Sequence, residues 1–325
     1  MSRSTIKLAL VLIFSLNFIS FLYAADIPLS KKNEYSFRYE IEISPSEEIK
    51  GKELSLWVPY PSEDETQKIL ESKINSSWPH KITREEKYGN KIIYLKGKTS
   101  LSPIKLSFEY RIQRAPYTGL KISSKETNRN IAQHVTPNKL IPHYPLIKQI
   151  AEQEAKDKKL PSQKIRAFYD YVVRNMTYDK SGEGWGRGDA VWACSSKRGN
   201  CTDFHSLFIG LNRSEKIPAL FEIGFPIPSD QNEGEIAGYH CWAEAYAEDL
   251  KQWIPVDTTE AKKTGKKDDY FGKLPSNRIQ FTIGRDIILN PPQKGEPLNY
   301  FIYPYAEVEG KEFSAIQKKF YFKKV

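Results

Sequence analysis

From Tyr35 to Ile112 apolar residues fall at every second position in two long stretches. Tyr35, Phe37, Tyr39, Ile41 and Ile43 alternate with polar neighbours, and so do Ile104, Leu106, Phe108, Tyr110 and Ile112. A period of two sets one face of a strand against a core and the other in water. Shorter strand candidates lie at 53–58 and 91–95, separated by turn signals that include Pro59, Pro61 and Gly89-Asn90. This pattern predicts an antiparallel, Ig-like β-sandwich over residues 25–118. It holds no chemical constellation, so its expected role is structural or to shape a substrate cleft.

The stretch 115–145 reads as a linker, rich in Pro, Ser, Thr and Asn. The period then changes. Leu146, Ile147, Ile150 and Ala151 predict a helix that stops near Lys159. Pro161-Ser162 opens a second, with Ile165, Phe168, Tyr169, Val172, Val173 and Met176 on one face. Residues 182–188 contain four glycines and predict a loop. A third helix is expected from Asn200, an N-cap residue, to about Lys216, because Pro218 cannot sit inside it. Strand-like segments follow at 219–226, 238–247 and 252–256, then at 280–284, 300–305 and 313–322. Helices first and strands afterwards indicate α+β rather than alternating βαβ units. The expected organisation is a core domain over 119–290, preceded by the sandwich and followed by a C-terminal strand extension over 291–325.

Residues 1–24 stand apart: Arg3 and Lys7, then an apolar run, then Ala24-Ala25 before Asp26. This order predicts a signal peptide cut after Ala24 or Ala25, and hence an exported chain, periplasmic or secreted. The alternative is retention of the same run as an anchor. Of 325 residues, 39% are hydrophobic and 27% charged, which excludes a disordered or fibrous protein. An aromatic content of 13% favours sheets over a helical bundle. Loss of Arg3 and Lys7 lowers the net charge from +9 to +7. The basic residues are scattered, with no stripe interleaved with aromatics, so nucleic acid is not an expected partner.

Three cysteines remain to be placed. Cys201 sits at the start of the third helix, where unpaired backbone N–H groups and the helix dipole favour a thiolate and can donate to an oxyanion. Taken alone it could equally be a small buried residue or half of a disulfide. His240 follows on one strand and Asp257 at the end of the next, 39 and then 17 residues further on. Nucleophile, base and orienter in that order form the logic of a Cys-His-Asp triad. Singly, His240 reads as a core histidine and Asp257 as a turn residue capping Thr258 or Thr259.

At Gly199-Asn-Cys-Thr-Asp-Phe-His-Ser-Leu-Phe208, Ile217-Pro-Ala219, Tyr239-His-Cys-Trp242 and Trp253-Ile-Pro-Val-Asp257 the chain resembles the transglutaminase-like superfamily, relatives of papain-type thiol enzymes. It looks most like bacterial exported members that join a β-sandwich to this core. The resemblance implies a core made of a helix carrying the cysteine and an antiparallel sheet. It gives Cys201 as nucleophile, His240 as base and Asp257 as orienter, with no cofactor. An oxyanion donor upstream of the cysteine is also implied, for which Trp185 and Trp192 are candidates, either of which could instead line the cleft.

His205, four residues after Cys201, is expected in a supporting role, because a base at that spacing needs an unusual angle to reach the sulfur. Asp203 should face elsewhere, as a first-turn acid or a strand-pairing partner. Strand alternation turns Cys241 away from the face of His240, so any disulfide is expected to be Cys194–Cys241, the pairing that leaves Cys201 free. The expected reaction is acyl transfer from amide bonds of peptides or proteins through a thioester. Water would make it a peptidase or deamidase, and an amine a transamidase. The other readings are a catalytically silent envelope binding protein and a metal site built from Cys194, Cys201, His205, His240 and Cys241. The last lacks C-x-x-C or H-x-x-x-H spacing, so no metal is expected.

Overall fold

The structure, a computed structural model, describes residues 32–44, 46–118 and 131–325. The expected signal segment, residues 1–24, lies outside them. Six strands come first: β1 (Asn33–Ile43), β2 (Glu53–Pro59), β3 (Gln67–Asn75), β4 (His80–Arg84), β5 (Lys91–Lys98) and β6 (Ile104–Arg114). The helices and strands of the core follow: α1 (Pro145–Ala155), α2 (Pro161–Asn175), β7 (Thr177–Tyr178), α3 (Ala190–Ser196), β8 (Arg198–Gly199) and α4 (Cys201–Ser214), then β9 (Ala219–Pro226), β10 (Glu233–Glu235), β11 (His240–Ala247), β12 (Gln252–Val256), α5 (Thr258–Thr264) and β13 (Arg278–Ile283). The chain ends in β14 (Tyr305–Val308), β15 (Lys311–Glu312) and β16 (Ile316–Lys324).

The alternation at the start of the chain is used as its period suggests. Tyr35, Phe37, Tyr39, Ile41 and Ile43 are buried and pair across β1–β6 with Ile112, Tyr110, Phe108, Leu106 and Ile104. Two five-stranded sheets, ordered β10-β16-β1-β6-β3 and β15-β14-β2-β5-β4, form the sandwich. Their facing residues, including Phe37, Phe108, Leu54, Leu56 and Leu95, belong to one apolar cluster. β3 and β4 are edge strands with mostly exposed side chains, which is why no alternation announces them.

The segment 291–325, expected as a strand extension of the core, contributes its strands to the sandwich instead. β16 pairs with β1 and β14 with β2, placing Phe320 and Phe322 opposite Tyr39 and Phe37. Residues 300–304 are irregular rather than the strand expected there.

The core sheet is antiparallel, ordered β12-β11-β9-β13, with α4 packed on β11 and β9. It meets the sandwich through aromatic rings. Phe225 of β9 lies 5.2 Å from Phe37 and 4.3 Å from Phe320, centroid to centroid, and 5.1 Å from Phe281 of β13. Gln67, fully buried, completes the seam: its side chain donates to the Gln280 carbonyl at 2.8 Å and accepts the Gln280 N–H at 2.9 Å. The core sheet therefore rests on a fixed platform, and that fixes the ends of β11 and β12 where the site forms.

Candidate functional site

The start of α4 is built by hydrogen bonds that the sequence Gly199-Asn200-Cys201-Thr202-Asp203 makes with itself and with the glycine loop. Asn200 caps the helix, its side-chain oxygen accepting the Thr202 N–H at 2.9 Å. The Asp203 carboxylate is buried and accepts three backbone N–H groups: Asn200 at 2.9 Å, Gly186 at 2.7 Å and Gly188 at 2.9 Å. The first-turn acid thus ties the 182–188 loop to the helix that carries Cys201. Gly199 permits the approach: its φ is 143°, and a Cβ there would stand 2.3 Å from the Asp203 carboxylate.

His240, the first residue of β11, pairs with Gly224 of β9. Its Nε2 lies 2.7 Å from Asp257 Oδ2. That leaves Nδ1 as the ring nitrogen free to serve the Cys201 thiol. Cys201 is 5% exposed and His240 6%, so the pair is shielded but not fully closed off from solvent. Asp257 is fully buried at the junction of β12 and α5 and serves both elements. Its Oδ1 accepts the Glu260 N–H at 2.9 Å, capping α5, while its Oδ2 holds His240 and also the Arg278 guanidinium. The capping reading and the orienting reading describe two oxygens of one carboxylate.

Electrostatics follow from this geometry. Hydrogen bonds from Cys241 and then His240 hold the Cys201 thiol well below its ordinary value, against the effect of burial. Burial alone would lower His240, but the Asp257 carboxylate and the Cys201 sulfur outweigh it, and the imidazole is pushed up to about 9. Asp257 stays well below the carboxylate range, because the charges on His240 and Arg278 overcome its burial. A thiolate beside an imidazolium, held by a buried carboxylate, can attack a carbonyl carbon and deliver a proton to the leaving group.

Residues 148–258 match the model of the transglutaminase-like superfamily, and that stretch contains Cys201, His240 and Asp257. The core is a transglutaminase-like domain. Over 308 residues the chain is 26% identical to an uncharacterized protein of Haemophilus influenzae, covering 82% of this chain and 83% of that protein. A solved structure from Cytophaga hutchinsonii, described provisionally as a cysteine protease, is 17% identical and covers 90% of this chain and 91% of its own, with a TM-score of 0.59. The fold of sandwich and core together is thus shared with that protein.

Other sequence candidates take different places around the transglutaminase-like core. His205 is fully buried; its Nδ1 is 2.8 Å from the Cys201 carbonyl, and its Nε2 accepts the Thr258 N–H at 3.2 Å. It joins α4 to α5, a supporting position. Trp185 donates its indole N–H to Gly182 O within its own loop, and Trp192 packs against Arg198. All three cysteines are free. Cys194 lies beside Lys197, whereas Cys241 lies against His205, so the Cys194–Cys241 pairing, the one expected if any disulfide formed, is not present. Turning away from the face of His240 does not take Cys241 away from the site, because its sulfur meets α4, 3.6 Å from His205 Nδ1. Among the described residues no group of three or more His, Cys, Asp or Glu is arranged to hold a metal ion. No helix among them is long and apolar enough to cross a membrane.

Four participants were not anticipated from the sequence. Arg278, from β13, is 3% exposed and lies against the Trp242 and Tyr270 rings. Tyr300 and Tyr303, from the irregular 300–304 segment, cluster with Tyr239. The Tyr239 and Tyr300 hydroxyls are 3.3 Å apart, and Asn200 Nδ2 donates to Tyr239 at 3.5 Å. Buried Arg285 donates to Ser206 Oγ at 2.8 Å and to the Gly188 carbonyl at 3.1 Å, locking loop to helix. A lone Arg or Tyr far along the chain carries no spacing signal; only the return of the C-terminal segment brings them here.

Proposed function

We propose that this chain is an exported cysteine-dependent acyl-transfer enzyme that acts on amide bonds of peptides or proteins. The observation that carries the reading is the buried series Cys201–His240–Asp257 at the N-terminus of α4, with its opposed shifts of thiol and imidazole. The Cys201 thiolate attacks the carbonyl carbon, and the positive end of α4 favours the oxyanion that forms. The C–N bond then breaks as the His240 imidazolium gives its proton to the departing nitrogen, leaving a thioester and a neutral imidazole. Neutral His240 next takes a proton from water or an amine, which attacks the thioester. Release of the Cys201 thiolate restores the starting charges. Asp257 keeps the ring oriented and favours its charged form throughout. Hydrolysis, deamidation and transamidation differ only in the leaving group and the acceptor. The short basic start, apolar run and Ala24-Ala25 support export.

p-Nitrophenyl acetate tests the chemistry without a known substrate. The expected result is acetylation of Cys201, seen by site-resolved mass spectrometry, followed by turnover, with neither in Cys201→Ala and a slow reaction in His240→Ala. A folded protein in which Cys201 reacts no faster than Cys194 would favour the silent binding protein instead.

A further inference from the structure

Arg278 takes no step in the reaction just described, yet its charge is directed at the carboxylate that orients the base. It opens β13, and Asp257 follows β12; these strands are the two edges of the core sheet, so one ion pair joins them. Both side chains are buried. The two oxygens of the Asp257 carboxylate are used differently. Oδ1 accepts the Glu260 N–H at 2.9 Å, whereas Oδ2 accepts both from His240 Nε2, at 2.7 Å, and from Arg278. The arginine is therefore placed on the oxygen that serves the base and not on the one that caps α5. Its guanidinium is held there from other sides as well. Nη1 donates to Asn277 Oδ1 at 3.3 Å, and the Asn277 amide donates to the Ile227 carbonyl at 3.1 Å. The Trp242 and Tyr270 rings lie 6.0 and 5.8 Å away.

The reaction makes two opposed demands on His240. It must hold a proton while Cys201 is a thiolate, and it must release that proton to the departing nitrogen. A buried carboxylate with no other cation would favour the imidazolium so strongly that it becomes a poor acid. The Arg278 guanidinium does not lose its proton, and a permanent cation on the same oxygen both draws on the carboxylate's charge and repels the charged ring. We infer that Arg278 is a positioning residue that tempers the base: by sharing Asp257 Oδ2 with His240 it keeps the imidazolium acidic enough to protonate the leaving nitrogen. The inference rests on the reading of Cys201 as nucleophile and His240 as its base. The same sharing keeps Asp257 ionised: against burial, the charges of His240 and then Arg278 hold it well below the carboxylate range.

The test is the titration of His240 in the folded protein, by carbon-edited NMR of the five histidine rings, with a melting curve on each variant. Loss of a signal in His240→Ala assigns it. The other titratable groups around His240 and Asp257 are Cys201 and His205 on α4, Tyr239 and Cys241 at β11, Tyr169 on α2, and Glu260, Lys263 and Tyr270 at or after α5. The Arg278 substitutions leave all of them in place. Wild-type His240 should titrate at about 9. Arg278→Met, and Arg278→Gln, which keeps a donor without the charge, should each raise the midpoint by about one pH unit, an acid about tenfold weaker. Either neutral variant that folds is sufficient to decide. Arg278→Lys, which keeps the charge, should stay near the wild type. If the neutral variants titrate at or below the wild-type midpoint, Arg278 only joins the sheet edges and the inference fails alone; a Lys midpoint that follows Met overturns it too. Cys201→Ala removes the thiolate and should lower the His240 midpoint. If that midpoint does not move, the nucleophile reading fails and takes the inference with it.

Discussion

Asp257 concentrates more of the site than any other side chain, since one carboxylate caps α5, holds His240 and neutralises Arg278. Asp257→Asn would leave two buried cations without a counter-charge, at a cost of about 3–5 kcal/mol in urea unfolding at neutral pH. The pH dependence has a definite sign. His240 is raised to about 9, so its contribution to stability is fully present below its unfolded pKa of about 6.5 and is lost as pH rises through about 9. Cys201 and Asp257 are depressed, so theirs are present above the unfolded values and lost as pH falls through the folded ones. Urea unfolding across pH should therefore show an alkaline loss near pH 9, absent in His240→Ala. Asp203→Ala, which strands three buried N–H groups, should cost at least about 2 kcal/mol in the same assay. Cys201, His240 and Asp257 were legible because order and flanking residues travel together in the sequence. The acceptor role of Asp203 was not, since its partners lie in a loop whose path the glycines leave open.

At the level of elements, hydrophobic period located what is half buried and said little about the rest. The long alternating strands and the strands 219–226 and 252–256 are where the pattern put them. β3 and β4 escaped because an edge strand facing water has no core face to mark it. Residues 300–304 looked like a strand because of their aromatic content, but those rings pack around Tyr239 and Phe320 without a ladder. The junction of β9 with β13 is the most sensitive point in the core sheet. A Cβ at Gly224 would stand 1.9 Å from the Ile279 carbonyl oxygen, a backbone atom that cannot move aside. Gly224→Ala should cost about 3 kcal/mol or more and loosen the strand end that bears His240, read as a lower melting temperature and slower Cys201 alkylation. Asn200→Ala removes the α4 cap and should cost about 1 kcal/mol.

Across the whole molecule the first and last strands of the described residues belong to the same sandwich, with the core inserted between. Nothing in the local sequence of 291–325 shows that β16 pairs with β1, because that contact spans nearly the entire chain. A truncation after residue 304 removes β14–β16 and uncovers Phe37, Tyr39 and Phe225 together, so it should aggregate rather than yield a soluble core, as gel filtration would show. Sandwich and core share one apolar cluster, and this shared frame fixes the distance between α4 and β11. Its consequence is a charge state, which the thiolate absorbance of wild type minus Cys201→Ser, followed from acid to alkaline pH in the folded protein, measures directly. A thiolate signal already present well below the ordinary thiol value of about 8.5, with no step near it, is the predicted result. A signal that rises only near 8.5 would mean an unactivated thiol and would contradict the thiolate–imidazolium site.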